Sequence, residues 1–264
     1  MSEAGPLVVA VAGVTAAIEA KPLAFRSALA ARLAAFAVEG RAPDFTVEAD
    51  IVPGRRGGGG PGAFALDARA LELVGPGFEG RYDRVERRGA IRQPASLGVF
   101  HRFLAGVFGL ELPSRGGLLV HAAALTWGGR AHVFFGPSGS GKTTLARRRR
   151  HGVLSDEVVA LRVDGETARA HGTPWRGRNL SAPLGALHRL RRTGTAGIRA
   201  LPPALAAREL MQSLFVPAPD GALGDAVLGT LARLVPLVPV FELSVVRGRP
   251  FWPLVDAAIA ADRA

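Results

Sequence analysis

Apolar and polar residues alternate in one stretch near the N-terminus, whereas longer apolar runs appear further along the chain. Residues 45–51 read F-T-V-E-A-D-I, the period of two expected of a strand with one buried face. Residues 117–125 read G-L-L-V-H-A-A-A-L and predict a buried strand that contains His121. Strands are also predicted at 7–13, 14–19, 131–135, 158–163, 166–171 and 240–246, with two or three more between 63 and 91.

Helical spacing of apolar residues marks a second set of elements. In residues 97–110 the side chains of Phe100, Phe103, Leu104, Val107 and Phe108 share one helix face. The other predicted helices are 25–39, 183–191, 203–215, 222–235 and 252–261. Residues 53–62 contain R-R-G-G-G-G-P-G and predict a flexible loop of unassigned role.

The element order suggests two domains, with a boundary near residues 113–117. Residues 1–112 are expected to form a small α+β domain whose role we do not assign. Residues 113–264 are expected to form an α/β domain. The chain of 264 residues is long enough for either one or two cores.

One segment of the second domain carries a recognisable chemistry. Gly136 to Thr143 read G-P-S-G-S-G-K-T and match the Walker A pattern G-x-x-x-x-G-K-[ST] at every fixed position, after an apolar run and before a predicted helix. Glycines in such a loop allow its backbone N–H groups to surround phosphate oxygens. Lys142 is expected to reach the β- and γ-phosphates, and the Thr143 hydroxyl to bind Mg²⁺. The predicted nucleotide-binding residues are Gly136, Pro137, Ser138, Gly139, Ser140, Gly141, Lys142, Thr143 and Thr144.

Two acidic residues follow the next apolar run. The segment V-L-S-D-E ends in Asp156 and Glu157, and a carboxylate at a strand end beside a P-loop can accept a hydroxyl proton or bind Mg²⁺. Successive strand residues point to opposite sides, so we expect the two carboxylates to have different roles unless the strand has already broken there. Arg176, Arg178 and Asn179 lie in a polar loop and either contact the substrate or are simply exposed.

Composition supports some of these interpretations and excludes others. The chain contains 33 Lys and Arg residues, but only two are lysines, Lys21 and Lys142. Lysine is therefore kept where a P-loop needs a compact ammonium group. Cysteine is absent, which excludes disulfides and thiolate metal sites and fits a cytoplasmic location. The net charge of +11 is spread along the chain, with one cluster at Arg147 to Arg150, so we expect no nucleic-acid partner and no membrane contact.

The order of His121, the Walker A loop and Ser155-Asp156-Glu157 resembles the HPr kinase/phosphorylase superfamily, and especially the HPr-kinase-like proteins of bacterial peptide-modification gene clusters. His121 stands 21 residues before Lys142, the spacing typical of that family. The resemblance implies an HPr-kinase C-terminal type of P-loop domain, with His121, Lys142 and Asp156 as catalytic residues. It also implies that Thr143, Asp156 and Glu157 bind metal.

The expected function is therefore an ATP- and Mg²⁺-dependent kinase that phosphorylates a serine or another hydroxyl of a peptide or small protein. Two alternatives stay open, a kinase of a small metabolite and a nucleotide-binding regulator with little phosphotransfer. The resemblance also implies a possible homo-oligomer.

Overall fold

The computed structural model describes residues 5–53, 62–147, 152–193, 195–218, 220–246 and 249–262. Within these ranges the chain is a mixed α/β protein with two sheets and six α-helices. The chain forms two compact units. The first contains the residues up to Arg115 together with Val216–Asp225, and the second contains Gly116–Phe215 together with the residues from Ala226 onward. The division into domains 1–112 and 113–264 stays a prediction.

The first unit contains a seven-stranded sheet in the order β1-β2-β3-β7-β6-β5-β4. Its strands are β1 (Leu7–Val11), β2 (Val14–Lys21), β3 (Phe45–Ile51), β4 (Ala63–Leu66), β5 (Ala70–Gly75), β6 (Phe78–Asp83) and β7 (Arg88–Gln93). Strands β2, β3 and β7 run parallel to one another, and the other pairings are antiparallel. Four strands therefore occupy the region from Ala63 to Gln93, where the sequence predicted two or three.

Two helices belong to this unit, α1 (Leu23–Leu33) and α2 (Leu97–Glu111). Helix α1 ends earlier than predicted, and a 3₁₀ turn follows it at Ala34–Phe36. The predicted apolar face of α2 is confirmed, because Phe100, Phe103 and Phe108 are fully buried. Phe108 packs edge-to-face on Phe45 of β3, with ring centroids 5.0 Å apart. The core of the first unit thus lies between α2 and the sheet.

The second unit contains an eight-stranded sheet in the order β10-β8-β11-β12-β13-β15-β14, in which β9 pairs with both β8 and β13. The strands are β8 (Gly117–Trp127), β9 (Arg130–Phe135), β10 (Val153–Ser155), β11 (Val158–Asp164), β12 (Thr167–Gly172), β13 (Ser181–Arg191), β14 (Gly197–Ala200) and β15 (Val240–Ser244). The helices are α3 (Lys142–Arg147), α4 (Pro203–Met211), α5 (Gly221–Leu234), which begins in the first unit, and α6 (Trp252–Asp262).

Three strands of this sheet run parallel and place their carboxyl ends at one edge. Strand β13 lies between β9 and β15, and Phe135 at the end of β9 is in register with Arg189 of β13. Ligands of open α/β sheets bind beside the carboxyl ends of parallel strands. The Walker A loop starts at this edge, directly after β9.

The predicted helix at 183–191 is wrong, because this segment belongs to strand β13. Leu184, Leu187 and Leu190 have helical spacing, and their neighbours include good helix formers. The segment is instead buried between β9 and β15, which it pairs in parallel. Strands buried on both faces lose the period-two signal, so this one could not be distinguished from a helix by pattern. Strand β14 was not predicted at all.

No helix within the described residues is long and apolar enough to cross a membrane. The predicted glycine-rich loop falls at 54–61 and most of the basic cluster at 148–150, both outside the described residues.

Candidate functional site

The Walker A loop adopts a backbone that its glycines make possible. Gly136, Gly139 and Gly141 have φ values of 136°, 75° and 109°, a region that residues with a Cβ rarely occupy. A Cβ on Gly136 would also lie 2.9 Å from the carbonyl oxygen of Leu190 in β13. The predicted arrangement of strand, loop and helix is present as β9, Gly136–Gly141 and α3.

Lys142 points its ammonium group back at its own loop. The side chain is 7% exposed, and Nζ donates to the carbonyl oxygens of Gly136 at 2.6 Å and Pro137 at 3.1 Å. Burial lowers the pKa of Lys142 below its usual value. A cation held inside a loop of this shape is suited to binding an anion there.

The next residues anchor the loop to the core. Leu145 and Ala146 of α3 pack into a cluster with Ala123, Phe134 and Leu243. This packing fixes the start of α3 against the sheet, so Thr143 is held half-buried and Thr144 is exposed at its first turn.

Ser140 has a buried hydroxyl with no hydrogen-bond partner among the residues that the structure describes. Its Oγ makes no hydrogen bond with the described residues, although the residue is only 6% exposed. An unsatisfied buried hydroxyl costs free energy unless a ligand or water supplies a partner. The loop therefore fits a phosphate group, whose oxygens would accept this hydrogen bond.

His121 faces the same loop. Strand β8 is buried from residue 117 to 125 except at His121, whose side chain is exposed. It lines a cavity of about 220 Å³ together with Ser138, Gly139, Gly141, Lys142, Thr143, Thr144 and Arg192. Desolvation and then the charge of Lys142 lower the pKa of His121, against an opposing effect of the Glu157 carboxylate. The strand is buried as predicted, whereas the His121 side chain is exposed and lines the cavity, and its lowered pKa favours the neutral ring at pH 7.

Asp156 and Glu157 lie in a bend between β10 and β11. Arg176 Nε lies 3.2 Å from Asp156 Oδ1 and 3.4 Å from Glu157 Oε2, so both carboxylates turn toward one guanidinium group. The expectation that they point to opposite sides is wrong, because the strand ends at Ser155 and the alternation of strand side chains no longer applies.

The acid pair adjoins His121 through the backbone. Val158 of β11 is the register partner of His121, and Ala122 N donates to the carbonyl oxygen of Glu157 at 3.1 Å. The side chains of Asp156 and Glu157 are not among those that line the cavity of about 220 Å³. The structure thus groups His121 with the Walker A loop and places the acid pair next to His121.

The polar loop after β12 positions Arg176. Arg178 N donates to the carbonyl oxygen of Leu154 at 2.8 Å, which ties this loop to β10 just before the acid pair. A Cβ on Gly172 would lie 2.0 Å from the carbonyl oxygen of Arg178, so the close approach requires glycine. Arg176 therefore faces the carboxylates, while the Arg178 and Asn179 side chains are exposed.

The metal-binding potential of the site depends on phosphate. Within the described residues, no group of three or more His, Asp or Glu side chains could hold a metal ion. Mg²⁺ in phosphotransfer sites is usually held by one or two carboxylates plus substrate phosphates. Asp156 Oδ1 is buried and makes no hydrogen bond with the described residues, although it is ion-paired with Arg176. Asp156 and Glu157 fit such a shared site.

A larger cavity of about 550 Å³ was not predicted from the sequence. The Walker A residues Pro137 and Ser140 line it, together with a set of charged residues. That set is Arg189, Arg191, Arg192, Arg199, Arg208, Glu209 and Glu242. In the sequence, the alternation of Arg189, Leu190 and Arg191 was the local sign that two arginines share one face of a strand. It was not recognised because the segment was predicted to be a helix.

The chain is similar to part or all of several solved protein structures. The Hpr(Ser) kinase/phosphatase from Coxiella burnetii matches 55% of this chain and 90% of its own, at 12% identity and a TM-score of 0.33. A likeness at this score carries no functional argument. No protein-family model and no curated protein sequence matches the chain.

Proposed function

We propose that the protein is an ATP- and Mg²⁺-dependent kinase of HPr-kinase-like type, which transfers the γ-phosphate to a serine or another hydroxyl of a peptide or small protein. The observation that carries the proposal is the Walker A loop itself. It combines a buried ammonium group, an unsatisfied buried hydroxyl on Ser140 and three glycines at positive φ, at the carboxyl edge of parallel strands.

In this proposal the loop binds the phosphates and Lys142 neutralises their charge. Mg²⁺ would be held by Thr143, Asp156 and Glu157 and would neutralise further phosphate charge. Asp156 takes the proton of the acceptor hydroxyl. The hydroxyl oxygen then bonds to the γ-phosphorus while the bond from that phosphorus to the ADP oxygen breaks.

His121 has a supporting part in the proposal. Its neutral ring lines the cavity beside Lys142 and can hydrogen-bond a phosphate oxygen or the acceptor without adding charge. Arg176 holds the acid pair in place and must share these carboxylates with the metal.

The two lysines of the chain provide a matched test. Lys142→Ala should weaken ATP binding by about 10- to 100-fold, the loss expected for a hydrogen bond to a charged group. Lys21→Ala removes the same charge from an exposed position in β2 and should bind ATP as the wild type does. Calorimetric titration with Mg·ATP measures both. Equal ATP affinity of Lys142→Ala and wild type would overturn the assignment of the loop.

Thermal unfolding controls for damage to the loop itself, since Lys142 also donates to Gly136 and Pro137. Lys142→Arg keeps the charge, but its planar group does not replace the compact ammonium. We expect this variant to fold normally and to bind ATP poorly.

A further inference from the structure

The cavity of about 550 Å³ beside the Walker A loop is dominated by arginine. Five arginines and two glutamates line it, which leaves an excess of three positive charges. We call it the arginine cavity. Its charged residues come from β13 and the position after it, from β14, from α4 and from β15. Its volume falls within the range of about 300–1,000 Å³ that is typical of small-molecule sites.

The arginine cavity lies where α/β sheets bind ligands. Arg189 and Arg191 lie at the C-terminal end of β13, and Glu242, the middle residue of β15, is in register with Arg189. Both strands run parallel to β9, so these side chains reach the same carboxyl edge as the Walker A loop.

Two buried carboxylates bind four of the five arginines, Arg189, Arg191, Arg199 and Arg208. Glu242 is 8% exposed and accepts hydrogen bonds from Arg189 at 2.9 Å, Arg191 at 3.3 Å and Arg199 at 3.0 Å. Glu209 accepts hydrogen bonds from Arg189 and Arg208. A preorganised guanidinium loses less conformational entropy when it binds a ligand.

These ion pairs leave some of the N–H donors of the arginines available for a ligand. Each guanidinium has five N–H donors, and the side chains of Arg191, Arg199 and Arg208 remain 56%, 62% and 68% exposed. Arg192 makes no hydrogen bond or ion pair with the described residues. Neutralising two glutamates would not require five arginines, so the excess donors point to a further anion.

Three residues connect the arginine cavity to the Walker A cavity. Ser138, Gly139 and Arg192 line both of them. A molecule held in the arginine cavity therefore lies beside the place where phosphate would be transferred.

We infer that the arginine cavity binds an oxyanion group, a phosphate or a carboxylate, carried by the acceptor molecule. Arginine forks match both groups through paired hydrogen bonds. The inference rests on the proposed kinase function and narrows its substrate to acceptors with an anionic group near the reacting hydroxyl.

Calorimetry on protein loaded with Mg²⁺ and the non-hydrolysable analogue AMP-PNP tests this inference. The analogue fills the Walker A loop, after which inorganic phosphate and succinate are titrated separately to represent the two oxyanion types. We expect at least one of them to bind saturably. Arg191→Ala and Arg199→Ala should each weaken that binding by about 10- to 100-fold.

Arg88→Ala is the matched control, since it removes an arginine of β7 that is 70% exposed in the first sheet and should leave anion binding unchanged. Arg199→Lys keeps the charge but not the planar guanidinium group, so it should lose less anion affinity than Arg199→Ala. If Arg199→Ala is unstable because Glu242 loses a partner, Arg199→Lys replaces it in the titrations.

Two results would overturn the inference: no binding of either anion to the loaded protein, or equal binding by Arg199→Ala and Arg88→Ala. A failure of AMP-PNP to bind would instead count against the kinase function. In that case the same titrations on Lys142→Ala protein, in which the Walker A cation is missing, still decide whether the arginine cavity binds oxyanions.

Discussion

The two sheets of the protein bury their residues in different ways. In the first sheet, β3 and β7 alternate between buried and more exposed positions, and four of the five exposed residues are charged: Glu48, Asp50, Arg88 and Arg92. In the second sheet, β15 is buried at all five positions and β8 is buried over most of its length. One-faced burial produces alternation, whereas burial on both faces removes it.

Charges have different surroundings in the two sheets as a result. The first sheet has exposed pairs such as Arg88–Glu48 at 4.0 Å and Arg92–Asp50 at 3.6 Å. The second unit has buried polar groups, among them Lys142 of α3, His188 of β13 and Glu242 of β15. Burying such groups is costly unless they have partners, and exposed pairs contribute little. Polar residues in the second sheet are therefore the better candidates for function.

The largest effect is expected at the acid pair. Asp156→Asn should leave ATP binding intact but slow phosphate transfer by about 10²- to 10⁴-fold, because it removes the proposed base. Glu157→Gln should reduce turnover less and act mainly through Mg²⁺ affinity. Transfer of labelled γ-phosphate to the acceptor or to water measures both.

Asp50→Asn makes the same chemical change at a carboxylate of the first sheet that is 72% exposed, and it should have no effect on the rate. If Glu157→Gln abolishes transfer and Asp156→Asn does not, the two roles are reversed. If neither variant changes the rate, the protein is better described as a nucleotide-binding regulator.

A smaller effect is expected on the stability of the protein when the pH is lowered. Burial lowers the pKa of His101, His132 and His171 to about 4 and that of His188 well below 6.5; His101 belongs to the first unit and the other three belong to the second. Because the unfolded chain binds these protons more readily, stability should be lost as the pH falls from about 6.5 toward 4. Thermal unfolding at a series of pH values between 7 and 4.5 measures the loss.

Carboxylates also titrate near the end of this range, so a histidine variant is needed as a control. His188 stacks between Phe134 and Phe241 and lies 3.1 Å from His132, Nε2 to Nδ1. His188→Phe keeps a flat ring there and should make the melting temperature less dependent on pH. If the melting temperature of this variant depends on pH as that of the wild type does, groups other than His188 cause the loss of stability in acid.

The smallest effect is expected at the exposed pairs of the first sheet. Arg88→Ala should change the melting temperature by less than about 2 °C, since surface substitutions away from structural features are nearly neutral. Differential scanning calorimetry measures it. If Arg88→Ala shifts the melting temperature as much as a substitution of a buried charge in the second sheet, charges in the two sheets do not differ in their contribution to stability.

Prediction from the sequence was most accurate where the pattern is local. The strand at Phe45–Ile51 and the apolar face of α2 were predicted from alternation and helical spacing, and both are confirmed. The segment that forms β13 was predicted as a helix, because its leucines have helical spacing and only its neighbours β9 and β15 make it a strand. The bend at Asp156 and Glu157 was likewise not evident from their order in the chain.

The sequence by itself determined the conformation of the Walker A loop, because that loop depends on consecutive residues and on the positive φ angles that glycine permits. It also determined that one of the two lysines of the chain, Lys142, stands at the loop. Only the tertiary structure decided which residues meet across the chain. Arg176 reaches Asp156 from 20 positions away, and Glu242 gathers arginines that come from two other strands. Such contacts depend on the pairing order of strands in a sheet, which spacing along the chain does not encode.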